Sequence, residues 1–381
     1  MKKRQSHSLD KGSAIGQPIK WVLTLLFGLT CQLTLAQERF LVEGIFDTEI
    51  YDTDTSSRLL SRNDGDVSTL LRLQLWSAFQ VSPKLQIYAM GEFEFDNSGP
   101  ESETESELEQ LALRYSSNTS PFYSVEAGKL LSPAGAASRH NLSTLNWLIG
   151  QPNAYDISYP WGIRVAGSHN RLDYRLALLD SPVIVAEYLP DPSAAYRPAL
   201  SLGLTLFTGL RIGASYTKGP YLNRQLGAYL PPGDGWRDFD QKILGFDVQF
   251  SRGYLELNGE LIFSEYDIPF HNKNTDGTDY YLEMKYTWTP RFYAAVRLER
   301  NKNPIISHIV GLSWLAQDIE VNDVEISFGY RFSPDTQIKL AYRWDHWDSK
   351  DAQMSVFPDG HSLAMQLSHH FDMKSWFMKK L

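Results

Sequence analysis

The sequence predicts an all-β chain, a transmembrane antiparallel up-and-down β-barrel of about 16 strands with short periplasmic turns and long external loops. Three observations predict it. The chain is 13% aromatic, with 10 Trp and 20 Tyr, yet its mean hydropathy is only −0.32. Apolar and polar residues alternate with period two over most of its length, which gives strands two unlike faces. The connections between these runs fall into two length classes that take turns along the chain. Together the three separate a membrane barrel from a helical membrane protein. A spanning helix needs about 20 consecutive apolar residues, and no stretch beyond the leader approaches that, whereas in a barrel only alternate residues meet lipid.

The first 36 residues read as a secretory signal peptide. Lys2, Lys3, Arg4, Lys11 and Lys20 precede an apolar run from Trp21 to Leu29, and Thr34, Leu35 and Ala36 offer small residues for cleavage. The expected organisation is a leader over 1–36, a barrel over 37–371 and a periplasmic tail over 372–381. The single cysteine, Cys31, leaves with the leader, so the exported chain has no thiol or disulfide chemistry. The leader holds five basic residues and one acid. Its removal leaves 31 basic against 44 acidic residues and moves the net charge from −9 to −13. A surface of that sign excludes nucleic acid as a partner.

The strands follow in order. The run from Val67 to Val81 sets Val67, Leu71, Leu73, Leu75 and Phe79 on one face against Ser68, Arg72, Gln74 and Gln80 on the other. Ser82, Pro83 and Lys84 form a tight turn. The next run sets Leu85, Ile87, Ala89, Phe93 and Phe95 against Gln86, Tyr88, Glu92 and Glu94. Comparable short turns are expected at 117–121, 169–171, 208–209, 251–253, 289–291 and 333–336. Longer connections rich in Asp, Asn, Gly and Pro are expected at 52–66, 97–107, 131–161, 181–198, 219–240, 266–277 and 348–360. Short and long connections in turn mark opposite ends of a barrel; a soluble sandwich has no reason to sort its turns this way.

Taken literally, the runs give one strand too many for an even count, which both chain ends at the periplasmic side require. The segment Ile305–Leu315 has the weakest alternation, since Ile305-Ile306 and Ile309-Val310 interrupt it. Residues 301–321 are therefore assigned to an external loop. The last strand sets Leu363, Met365, Leu367 and Phe371 outward and ends on an aromatic residue.

That terminal pattern resembles the C-terminal signal of outer-membrane barrels, and the pattern of strands, turns and terminal aromatic as a whole resembles Gram-negative porins. The strand Tyr123–Lys129 running through Gly128 and Lys129 to Pro133 is similar to the junction that opens the long third loop of the phosphate-selective-porin-like group. The resemblance implies an outer-membrane location and a water-filled channel for passive diffusion of small hydrophilic solutes or ions. It implies as partners outer-membrane lipids, the barrel-assembly machinery and those solutes, with a homotrimer among the assemblies it allows. No cofactor, metal or catalytic activity is expected.

The face that carries Arg72 also carries Arg114, Arg164, Arg175 and Arg211 from the first half of the barrel, and Asp247, Glu256, Glu260 and Glu283 from the second. These are the candidate pore-lining residues, and opposed across a lumen they would set up a transverse field. The loop from Leu130 to Pro160 is the longest and is expected to fold inward. A short helical piece within Ala134–Ile149 would bring Arg139, His140, Asn146 and Trp147 to a constriction. Aromatic residues near strand ends, Trp76, Phe79, Tyr286, Trp288, Phe292, Tyr342, Trp344 and Trp347, fit interface girdles for the most part. Two other classes stay open. A barrel enzyme of lipase or protease type would need a nucleophile and base; Ser368 and His370 share a strand face, but no Gly-x-Ser-x-Gly elbow is present. A plugged structural or adhesive barrel would conduct nothing.

Overall fold

The computed structural model describes residues 39–373, except 56–59, 61, 98–102, 118, 120–121, 137–139, 141, 153–157, 183–195, 272–273, 309–313 and 350–358. The leader, the tail beyond Met373 and Arg139 lie outside the described residues. The chain forms β1 (Phe40–Thr53), β2 (Ser68–Ser82), β3 (Leu85–Asp96), β4 (Glu103–Ser116), β5 (Phe122–Lys129), β6 (Trp161–His169), β7 (Leu172–Leu179) and β8 (Arg197–Phe207). It continues through β9 (Leu210–Pro220), β10 (Asp240–Arg252), β11 (Leu255–Tyr266), β12 (Thr275–Thr289), β13 (Phe292–His308), β14 (Trp314–Ser333), β15 (Thr336–Ser349) and β16 (Gly360–Asp372). Each strand pairs antiparallel with its chain neighbours, and β1 pairs with β16 from Glu43↔Asp372 to Thr53↔Ser362, closing a sixteen-strand barrel. Closure leaves no strand edge unpaired.

The two faces follow from the alternation. On β16, Leu363, Met365 and Leu367 are exposed while Ser362, Ala364, Gln366 and Ser368 between them are buried. On β2, Leu71 is exposed and Gln74 is buried. The short turns fall where the sequence places them, and two of them, at Gly209 and Gly253, need the positive φ of 96° and 62° that glycine supplies at low cost. An outward row of Tyr254, Tyr286, Trp288, Phe292 and Phe328 runs along the turn end of β11–β14, with neighbouring ring centroids 5.3–6.4 Å apart. Two members of the expected girdle point the other way. Trp76 lines a lumen cavity, and Trp347 donates from Nε1 to buried Asp345, 2.5 Å away. Both sit on the inner phase of their strands.

Three connections differ from expectation. Residues 301–308 and 314–321 are strand, not loop: β13 and β14 pair without a break to His308↔Trp314, making the longest hairpin of the barrel. The reason lies in what packs on its tip. The 221–239 connection folds against it, burying Tyr221, Leu222, Leu226, Leu230 and Phe239 with Tyr266, Ile268 and Trp314, and the Trp314 indole donates to the Tyr229 carbonyl at 2.9 Å. Strand β4 begins at Glu103, inside the expected 97–107 loop. Among the described residues of Ala134–Ile149 there is no helix, only bends and a turn closed by Leu145 and Asn146 amides on the Leu142 carbonyl.

Candidate functional site

The third external connection, residues 130–160, turns into the lumen. Its base extends the β5–β6 ladder through Leu130 N–H to Pro160 O at 2.9 Å and Ser132 N–H to Ser158 O at 3.0 Å. From there it crosses to the far wall. The Ala136 amide donates to both oxygens of Glu260 on β11 at 3.0 Å. Ser143 donates to Asp47 on β1 at 2.5 Å, and its carbonyl accepts from Gln337 and Lys339 on β15 at 2.8 and 2.7 Å. The amides of Ile149 and Gly150 both donate to Glu325 Oε1 on β14 at 3.0 Å. Trp147 and Leu148 pack on Tyr293 and Ala295 of β13, with the Lys285 ammonium 4.8 Å from the indole. Buried backbone groups need partners, and this loop takes them from the barrel wall.

At the centre of that wall Arg297 is 1% exposed and ion-paired with Glu325 at 2.5 Å, Glu283 at 3.1 Å and Glu299 at 3.7 Å. It also donates to the carbonyls of Gly150 and Gln151 at 3.0 and 3.2 Å. Arg343 pairs with Asp323 at 3.1 Å beside it. A β-carbon on Gly150 would meet Glu325, Arg297 and Arg343 side-chain ends at 2.7–3.1 Å, so a larger residue there must push the charged tips of this cluster aside. Several of the candidate acids are engaged here. Glu283 holds Arg297, Glu256 pairs with Lys285, and Glu260 holds the loop.

The β2–β7 wall is arranged differently. Arg72 faces Glu94, Glu92 and Glu49 at 2.9, 3.6 and 3.8 Å. Arg114 and Arg164 share the buried carboxylate of Glu126, and Arg164 also donates to the Leu131 carbonyl at 2.8 Å. Further round, Arg211 bridges Asp173 and Asp247 at 2.8 and 2.5 Å. The candidate charges of both signs thus meet as neighbours on adjacent strands, so their fields are local. Arg175 lines a cavity of about 330 Å³ between the loop and this wall, with Trp76, Met90, Leu142, Leu145 and Arg164 among its other linings.

Immediately toward the loop end, on β3 and β4, carboxylates face each other in register: Glu92↔Glu107, Glu94↔Glu105 and Asp96↔Glu103. Like charges directly opposite destabilise a sheet. Arg72 and Lys129 reach this ladder, Lys129 at 2.7 Å from Glu107. The register slips between Met90 and Gly91, and the extra residue, Glu109, is 8% exposed with no hydrogen-bond partner on Oε2.

Sequence reasoning missed Asp47, Arg297, Glu325 and Lys339, the residues that fasten the loop. Their inward phase is visible in Ala294-Ala-Val-Arg297 and Val324-Glu-Ile326, but nothing local says that a distant loop covers them. At the turn end, the His370 ring nitrogens lie 3.7 Å from Glu43 and 3.8 Å from Asp335.

A closed barrel of sixteen strands, aromatic and apolar outside, charged inside and crossed by its third loop, is the fold of the outer-membrane porins. Solved structures share it at low identity. The anion-selective porin from Comamonas acidovorans matches with a TM-score of 0.59 and 11% identity over 87% of this chain and 99% of its own. OmpF of Salmonella typhi, solved with daunomycin, gives 0.57 and 10% over 87% and 97%. OmpT, an outer membrane protein of Vibrio cholerae, gives 0.57 and 10% over the same shares, and has also been solved in a trimer form. No protein-family model matches the sequence, and no curated protein matches it.

Proposed function

We propose that this chain is an outer-membrane porin, a water-filled channel for passive diffusion of small hydrophilic solutes or ions, assembled as a homotrimer. The observation that carries the reading is the third loop, folded into the lumen and bonded to the β11–β1 wall, with a cavity left between it and β2–β7. A loop fastened to one wall narrows a channel and routes solutes along the other. The enzymatic alternative would pair Ser368 with His370; the His370 ring lies 3.7 and 3.8 Å from Glu43 and Asp335, and hydrolytic chemistry needs a base aimed at its nucleophile.

Single-channel recording of the purified, refolded chain in planar bilayers tests this. Discrete, ohmic openings are expected. Arg114→Glu with Arg164→Glu should shift the reversal potential in a salt gradient toward cation preference, because arginine carries its charge at every accessible pH. Arg139→Glu should act likewise if that side chain reaches the constriction. A folded barrel that conducts nothing would sink the porin reading and leave a plugged structural barrel.

A further inference from the structure

We propose that a cavity on the external side of the third loop, between that loop, the connection after β1 and the inner face of β14–β2, is a capture site for sugar acids, polyhydroxylated solutes that carry one carboxylate. The proposal rests on the porin reading and names the solute class that the channel mouth favours.

The cavity holds about 340 Å³, at the lower end of small-molecule sites. Its place follows from the chain. Asp47 on β1 holds Ser143 of the third loop, and Glu49 and Tyr51, which line the cavity, follow Asp47 toward the external end of the strand. Asn146 and Gln151 line it from the third loop, and Leu60 and Arg62 from the connection after β1. A solute from outside therefore meets it above the points where the loop is bonded to the wall.

Two carboxylates and three guanidinium groups line this cavity, and they do not meet a solute on equal terms. The side chains of Glu325 and Glu49 are only 2% and 4% exposed, and their oxygens are engaged. Glu325 accepts from Arg297 and from the Ile149 and Gly150 amides; Glu49 accepts from Tyr51 and Gln366 and lies 3.8 Å from Arg72. The arginines reach further, with the Arg72 and Arg343 side chains 27% and 12% exposed. Both have acidic partners, so they offer N–H groups and no surplus charge. Arg343 donates to Asp323 through Nη2, and its Nε has no hydrogen-bond partner.

Arg62 is different. Its guanidinium carbon lies 3.9 Å from the centroid of the Tyr51 ring, and among the described residues no carboxylate comes within ion-pair distance of it. Residues 56–59 and 61 of its own connection include no acid. Tyr51 is in turn fixed by its bond to Glu49 and by packing with Ile149, Ala341 and Ala364. A cation stacked on a ring is held in place without being neutralised, so Arg62 is a charge presented on a fixed platform. A carboxylate is its natural partner, because its two oxygens match the guanidinium fork.

The neutral part of the lining calls for a polar body behind that headgroup. Asn146, Gln151, Ser362 and Gln366 supply amides and a hydroxyl. Donation from Nε2 to Glu49 fixes the Gln366 amide and leaves its buried oxygen without a donor. A solute hydroxyl, donor and acceptor at once, supplies one directly or through a bridging water. Chloride or acetate uses the charge alone and a neutral polyol the amides alone, whereas a sugar acid uses both.

Saturation-transfer NMR titrations of the folded full chain in detergent test this with three probes: gluconate, sorbitol, which is the same carbon chain without the carboxylate, and acetate, the headgroup alone. Gluconate is expected to bind more tightly than either of the others by about tenfold or more, the factor that a charge-assisted hydrogen bond supplies. Arg62→Gln should weaken gluconate by a similar factor and leave sorbitol unchanged. Arg237→Gln removes an arginine stacked on Trp236, outside the cavity, and should leave gluconate binding as it was. Heat-modifiable gel migration shows that each variant has folded. Equal affinity for gluconate and sorbitol, or for gluconate and acetate, overturns the proposal, as does gluconate binding that ignores Arg62→Gln or falls equally in Arg237→Gln. Bilayer recording of the same preparation keeps the two readings apart: gluconate binding without conductance sinks the porin reading and leaves the site, and conductance without gluconate binding does the reverse.

Discussion

Arg297 and Arg72 stand on different walls of the barrel, and each is surrounded by three glutamates. Arg297 has Glu283, Glu299 and Glu325; Arg72 has Glu49, Glu92 and Glu94. Their surroundings separate them. The third loop seals the first cluster, whose arginine side chain is 1% exposed, while that of Arg72 is 27% exposed to the lumen. A sealed ion cluster must satisfy itself, because desolvation outweighs attraction unless every charge has partners. Glu325 accordingly takes the Ile149 and Gly150 amides, and Arg297 the Gly150 and Gln151 carbonyls. The open cluster can leave part of its charge to water. One motif therefore acts as a clasp on one wall and as a solvated field on the other.

The sharpest way to break this comparison is to remove both arginines in turn. Arg297→Ala strands three buried carboxylates and should cost about 3–5 kcal/mol, read by urea unfolding in detergent, with noisier and larger channel openings as the loop detaches. Arg72→Ala should cost about 1 kcal/mol or less. Equal losses would mean that loop burial is not what divides the walls. On the lipid side, Leu73→Arg should destabilise the barrel by about 2–4 kcal/mol near the bilayer midplane, whereas Gln74→Arg, beside Glu92 on the inner face, should fold and insert as the parent does. Refolding yield into vesicles reports both. The smallest effect sharpens the account of the clasp. Gly150→Ala should cost about 1–3 kcal/mol through crowding of Glu325 and Arg297, and Gly227→Ala, with open space around it, should fall within about 0.5 kcal/mol. Thermal unfolding of the two variants under one buffer decides.

What was legible in the sequence divides along the same physical line. Which face a residue takes is a local property of a pleated strand, so the alternation over Val67–Val81 and His361–Phe371 reads directly, as do turns at Pro83, Gly209 and Gly253. Which charge a residue lies beside depends on strand register, and that is not local: Glu126 stands between Arg114 and Arg164 only because β4, β5 and β6 align there. The 301–321 segment failed for a third reason. Alternation is demanded where one face meets lipid, but the tip of β13–β14 is held by backbone pairing and by Trp314 packed under the 221–239 connection. Ile305-Ile306 breaks the pattern there without ending the strand. The clasp was the least legible part, since Gly150 and Glu325 are 175 residues apart in sequence.

The seam between β1 and β16 bears on how the molecule comes into being. Every other strand pairing joins segments adjacent in the chain, so it can form as a growing series of hairpins. The seam joins Glu43 to Asp372 and Gln366 to Glu49, and it waits for the last strand to exist. The entropy of joining distant ends rises only logarithmically with chain length, so the wait is kinetic more than energetic. Until it ends, an open sheet of fifteen strands offers two bare edges, each a ready template for pairing with another chain.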